Sequence, residues 1–145
     1  MRLGDPDSYI DLELRESVAP NMPRAGDLRL RVTLRGAGFG GIQDDVWVPR
    51  SSAERFLEDL NDMAGGNGGE AVLKGAHGNE LILRFTQPVP AHVLIEGKLK
   101  RISKGTPATI SASVAFAIYV ARGDLRKIAE ALTETWAADA GTRTH

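Results

Sequence analysis

Gly36-Ala37-Gly38-Phe39-Gly40-Gly41-Ile42-Gln43-Asp44-Asp45-Val46-Trp47-Val48-Pro49 is the stretch on which the fold class turns. Its first six residues spell G-x-G-x-x-G, the letters of a dinucleotide-binding turn, and an apolar alternation at Leu28, Leu30, Val32 and Leu34 precedes them. In a dinucleotide-binding unit the last glycine opens a helix whose positive end meets the pyrophosphate. Here Val46-Trp47-Val48 follows instead, a short run of strand-forming residues closed by Pro49, which cannot donate to a ladder. The glycines therefore read as a turn or bulge between two strands.

Upstream, Ile10, Leu12 and Leu14 alternate with Asp11, Glu13 and Arg15, and the second alternation interleaves Arg29, Arg31, Thr33 and Arg35. Period two with one charged face marks two half-exposed strands. Paired antiparallel, they set Asp11 and Glu13 opposite Arg29, Arg31 or Thr33. Downstream, Ser51 and Glu54 have the spacing of a capping box. Phe56, Leu57, Leu60, Met63 and Ala64 then share one helical face, and Gly65-Gly66-Asn67-Gly68-Gly69 stops the helix. Strands are expected at residues 71–74, 81–85, 93–100 and 109–120, separated by short dividers suited to antiparallel neighbours. The last of these is apolar on one face and small on the other, which places it centrally in the sheet. A second helix starts near Asp124 and buries Leu125, Ile128, Ala129, Leu132 and Trp136. The expected fold is a single α+β domain over residues 1–145, with flexible termini at 1–8 and 139–145. Its core would be one antiparallel, meander-like sheet of six or seven strands, with both helices packed on one face. No internal repeat of fixed period is evident.

Composition narrows the chemistry. The absence of cysteine excludes disulfides, thiolate metal sites and a cysteine nucleophile. Eighteen Lys and Arg against nineteen Asp and Glu leave a net charge of −1, no long-range attraction for nucleic acid or anionic lipid. The opening Met1-Arg2-Leu3-Gly4-Asp5-Pro6-Asp7 lacks the apolar stretch of a secretory signal, and no apolar run approaches a membrane span. A cytoplasmic protein is the expectation.

His77, His92 and His145 stand apart in sequence and have no metal-ligand spacing. Asp44 and Asp45, adjacent on a strand, point to opposite faces unless a bulge intervenes. Arg29, Arg31 and Arg35 with Lys98, Lys100, Arg101 and Lys104 would form a basic stripe if their strands exposed one common face, but Trp47, Tyr119, Phe85 and Phe116 do not interleave with them for base stacking. No nucleophile elbow is present. The reading assigns no catalytic residue, cofactor or metal. It singles out the acidic face of the first helix, Glu54, Glu58, Asp59 and Asp62, as a partner-binding surface.

The helix segment Arg55-Phe56-Leu57-Glu58-Asp59-Leu60, the glycine-rich break, Glu70-Ala71-Val72-Leu73, Glu80-Leu81-Ile82-Leu83-Arg84-Phe85, His92-Val93-Leu94-Ile95-Glu96-Gly97 and the closing strand with Leu125 to Leu132 resemble WapI-type immunity proteins and their uncharacterised actinobacterial relatives. The resemblance implies a small non-enzymatic protein that binds a bacterial polymorphic toxin and blocks it by steric occlusion. It carries no functional residue across. At Ala117-Ile118-Tyr119-Val120-Ala121-Arg122-Gly123 the chain departs from the acidic or glutamine-bearing strand end that the resemblance would bring. Two alternatives follow from the residues themselves: a small-ligand-binding or enzymatic domain with a pocket in the curved sheet, and a homodimer that covers Ile82, Leu94, Ala115 and Ala117.

Overall fold

The computed structural model describes the backbone of residues 1–36, 39–67, 69–76, 81–104 and 109–143, and the side chains of these except 39, 101–104, 109–113, 116 and 137–143. In chain order the elements are β1 (Arg2–Gly4), β2 (Tyr9–Ser17), β3 (Leu28–Gly36), β4 (Phe39–Val48), α1 (Arg50–Ala64), β5 (Glu70–Lys74), β6 (Leu81–Val89), β7 (His92–Lys104), β8 (Thr109–Ala121) and α2 (Arg122–Arg143). Among the described residues no helix is long and apolar enough to cross a membrane.

The α+β class and the antiparallel pairing are as expected, but the single sheet is not. The strands form two four-stranded sheets, β1-β2-β3-β4 and β5-β6-β7-β8, each a plain meander. Their apolar faces meet: Gly97 on β7 lies against Ile10 of β2 and Leu34 of β3, and Gly41 on β4 lies against Val114 and Leu99. Alternation in a sequence states which side of a strand is oily, not whether a helix or another sheet covers it. Here the second sheet and the two helices share the covering. The helices lie against each other, α1 also against β5, and α2 against β2, β7 and β8. All of these surfaces join in one core, centred on Ile10, Leu30, Phe56, Leu83, Phe85 and Leu125.

The element order repeats: four antiparallel strands and a helix, then four antiparallel strands and a helix. At the strand–helix joint one constant spacing pairs Val46 with Ile118, Trp47 with Tyr119, Val48 with Val120, Arg50 with Arg122, Phe56 with Ile128 and Leu60 with Leu132. Elsewhere the period fails, because residues 18–27 link β2 to β3 whereas only residues 90 and 91 link β6 to β7. This is why no fixed period shows in the sequence.

On the outer face of the first sheet the expected register holds, with Asp11 opposite Thr33 and Glu13 opposite Arg31. Leu30 faces Val46 but Val32 faces Gln43, so β4 carries a bulge at Asp44 and Asp45. That bulge turns both carboxylates outward onto arginines: Asp44 lies 3.1 Å from Arg31 and Asp45 lies 2.9 Å from Arg29, which also reaches Glu16 at 3.2 Å. Exposed pairs of this kind each contribute about 0–1 kcal/mol. Their role here is to hold register.

Both helices start earlier than the sequence suggests. α1 begins at Arg50 with Pro49 as its cap position, and Ser51 makes no capping bond. The Asp27 carboxylate, arriving from the approach to β3, accepts the Arg50 N–H at 3.0 Å and does the work expected of Ser51. Asp27→Ala should therefore lower stability by about 1 kcal/mol, with Asp27→Asn largely restoring it, as read from urea midpoints. α2 follows β8 without a loop, its Arg122 N–H donating to the Ala91 carbonyl at 3.0 Å, so Asp124 sits in the first turn rather than at the cap. The stop of α1 is as read. Gly66 adopts φ +88°, the Asn67 N–H reaches the Asp62 carbonyl at 2.8 Å, and the Gly66 N–H reaches that of Met63 at 3.1 Å. This pair of bonds around a left-handed glycine is a Schellman closure.

Candidate functional site

α1 is fixed along its length before any partner arrives. Asp27 anchors its first turn, the Schellman closure ends it, and Ala53, Phe56, Leu60 and Met63 bury its inner stripe. Phe56 meets Phe85 edge-on at 5.6 Å between ring centroids and Trp136 at 6.3 Å. The opposite side of the helix is thus presented rigidly to solvent.

The four acidic residues singled out from the sequence do not form one patch. Glu54, Glu58 and Asp62 recur every fourth residue, so they stack along one exposed row. Asp59 turns away toward β5, where it lines a groove of about 280 Å³ with Ser52, Arg55, Glu70, Val72 and Lys74. It pairs with Arg55 at 3.6 Å and is only 35% exposed. Within the row, Glu54 is occupied by Arg50 at 2.7 Å, and its carboxylate raises the guanidinium's pKa above the usual value through that hydrogen bond and its charge. Among the described residues Glu58 and Asp62 have no ion pair.

Their placement opposes the helix's own field. The backbone dipoles leave the C-terminal end of a helix partially negative, so cations belong there and anions at the start. α1 has no acidic residue in its first turn and no basic residue in its last. It begins with Arg50 and carries Glu58, Asp59 and Asp62 over its second half.

The other charged candidates separate. Arg29, Arg31 and Arg35 lie on β3 of the first sheet, whereas Lys98, Lys100, Arg101 and Lys104 lie on β7 of the second. The two sheets share their inner faces, so their outer faces point apart, and among the described side chains Lys98 and Lys100 form no common stripe with the arginines of β3. The segment opened by Gly36 continues as strand β4 from Phe39, not as a helix, and so lacks the setting of a nucleotide-binding turn. Residues 37 and 38 of that motif, with Gly68, His77 and His145, fall outside the described residues. His92 opens β7 and is exposed. Among the described residues no three His, Asp or Glu side chains converge to hold a metal ion.

The second sheet carries two further features, one allowed for by the expected pocket in a curved sheet and one contrary to expectation. Its outer face is concave, with a groove of about 470 Å³ floored by Ile82, Gly97, Ala115 and Ala117 and rimmed by Arg84, Glu96 and Lys98. And β8, expected at the centre, lies at the edge. Thr109–Ala121 is the one strand among the eight described with no charged residue, a composition that suits an interior strand rather than an edge. Comparison of the chain with protein-family models, with curated proteins and with solved structures finds no match.

Proposed function

We propose that this chain is a non-enzymatic protein-binding module, an immunity protein that neutralises a bacterial polymorphic toxin by steric occlusion, and that the exposed row of α1 meets a basic surface on that toxin. The observation that carries the surface assignment is the inverted charge order of α1. An acid in the last turn of a helix costs about 0.3–1 kcal/mol, and a like-charged pair four residues apart a few tenths more. Asp62 incurs the first cost and the Glu58–Asp62 pair the second, and neither carboxylate has an ion pair among the described residues. A fold gains nothing from this arrangement, whereas a cationic partner docking on a rigid, pre-formed row gains attraction at long range and correct orientation on arrival. The toxin identity rests on the family resemblance, and the surface on the charge geometry.

The double variant Glu58→Lys with Asp62→Lys separates stability from recognition. It should be more stable than the parent by about 0.5–1 kcal/mol in urea unfolding. It should also capture the toxin about tenfold or more slowly at low salt, an effect that shrinks as salt is added. The matching experiment isolates partners from the native host, expresses the chain together with any large secreted toxin found there or encoded alongside, and scores growth and co-purification. Rescue of growth with a stable complex supports the reading. A toxin that kills regardless and does not co-purify overturns it.

A second reading, a small-ligand site in the curved sheet, has the outer groove of the second sheet in its favour: an apolar floor with charged groups at the rim suits a small amphipathic ligand. The double variant leaves that groove untouched, so activity lost on charge reversal belongs to α1 and activity retained points to the groove.

A further inference from the structure

Among the described residues four strand edges end the two sheets, and three of them are blunted. β1 has three residues. β5 has five and runs beside α1. β4 carries two glycines, a bulge and the Asp44–Asp45 carboxylates. Short length, bulges and edge charges are the devices by which proteins keep sheet edges from pairing with other chains. β8 has none of them. It runs for thirteen residues without charge, proline or glycine. Its last residues, 118–121, lie near β1, with Gly4 close to Ile118. Residues 109–117 have a strand neighbour only on the β7 side among the described residues.

We infer that β8 is a homodimerisation edge, pairing antiparallel with β8 of a second copy of this chain about a twofold axis. Three observations favour a second copy over another strand. The sequence of β8 reads as a central strand, apolar on one side and small on the other, and it becomes central when eight strands run β5-β6-β7-β8 and then β8 to β5 of the second copy. Antiparallel pairing continues the pattern of every ladder in the molecule. β8 carries no charged residue, so antiparallel pairing with a copy of itself sets no like charges opposite each other in any register, whereas the Asp44 and Asp45 carboxylates of the β4 edge would be brought together. In such a pair Val114, Ile118 and Val120 keep to the core side, and the exposed Ala115, Ala117 and Tyr119 keep to the outer side, where the small size of the two alanines lets the outer grooves of the two copies run on without a step. A twofold pairing uses both edges, so growth stops at two.

Sedimentation of the intact chain from micromolar to millimolar concentration should show the weight-average mass rising twofold and no further. Amide exchange across residues 109–117 should slow over the same range, with the ladder between β2 and β3 unaffected. Ala115→Lys with Ala117→Lys places cations on exposed positions, which the monomer tolerates, and should abolish the rise in mass. Ala117→Ser should keep it, and so should Glu58→Lys with Asp62→Lys, which acts on a separate surface. A monomer at all concentrations, an open series of larger species, or a lysine variant that dimerises like the parent would each overturn the assignment. If the lysine variant fails to fold, concentration-dependent exchange in the parent decides alone: slowing at 109–117 supports the edge, and slowing elsewhere or nowhere rejects it.

Discussion

Phe56→Ala will cost about 3–5 kcal/mol of unfolding free energy, the range for deleting a fully buried aromatic ring. Phe56 has no exposed surface and sits where α1, β6 and α2 converge, edge-on to Phe85 at 5.6 Å and tilted against Trp136 at 6.3 Å. Aromatic pairing of this geometry adds about 0.5–1.5 kcal/mol per contact to the area removed from water. A domain of this size is stable by roughly 5–15 kcal/mol, so the loss takes a large share of the total. The measurement is the urea midpoint at constant slope, since an unchanged slope shows that the same cooperative unit is unfolding. A loss below about 1 kcal/mol would mean the site collapses around the missing ring, and that α1 is not held by it. The acidic row would then lose its rigidity and with it part of its fitness as a docking surface.

Gly97→Val should destabilise by about 1–3 kcal/mol through overfilling rather than loss. A Cβ built on Gly97 would lie 3.2 Å from the Ile10 side chain and 3.3 Å from that of Leu34, closer than relaxed packing permits. These neighbours belong to the other sheet, so the added methyls must push the sheets apart or bend β7. Gly97→Ala, with one carbon, should cost less, and pairing Gly97→Val with Leu34→Ala should recover part of the loss by returning space across the interface. Urea unfolding of the four proteins completes the cycle. Independent, additive effects would show that the two sheets do not bear on each other at this point.

The readable part of the fold was what repeats along one strand or helix. Ile10, Leu12, Leu28, Leu30, Val32 and Leu34 alternate with polar residues, and this sufficed for the β2–β3 register. The stripes of α1 and α2 were equally plain, and each of Leu125, Ile128, Ala129, Leu132 and Trp136 is buried as expected. What could not be read depends on groups far apart in sequence. Asp27 caps α1 from another element, so the local capping pattern at Ser51 misplaced its start. The division into two sheets depends on β5 pairing with β6 and not with β4, and no alternation records which neighbour a strand refuses. The apolar face and the small opposite face of β8 suit a central strand, yet among the described residues it lies at an edge. The acidic row on α1 was visible, but Asp59 was counted in it because its separation toward the β5 groove follows from where the second sheet sits.

The doubled strand-and-helix unit bears on synthesis. The oily side of the first sheet, Ile10, Leu30, Val32 and Leu34, shares one core with Leu83, Ile95 and Leu99, so residues 1–66 lack part of their packing until the second half has been made. The nascent first half is therefore sticky for as long as the second takes to appear, and translation speed through residues 70–104, together with chaperone supply, governs how much of the chain reaches its native form.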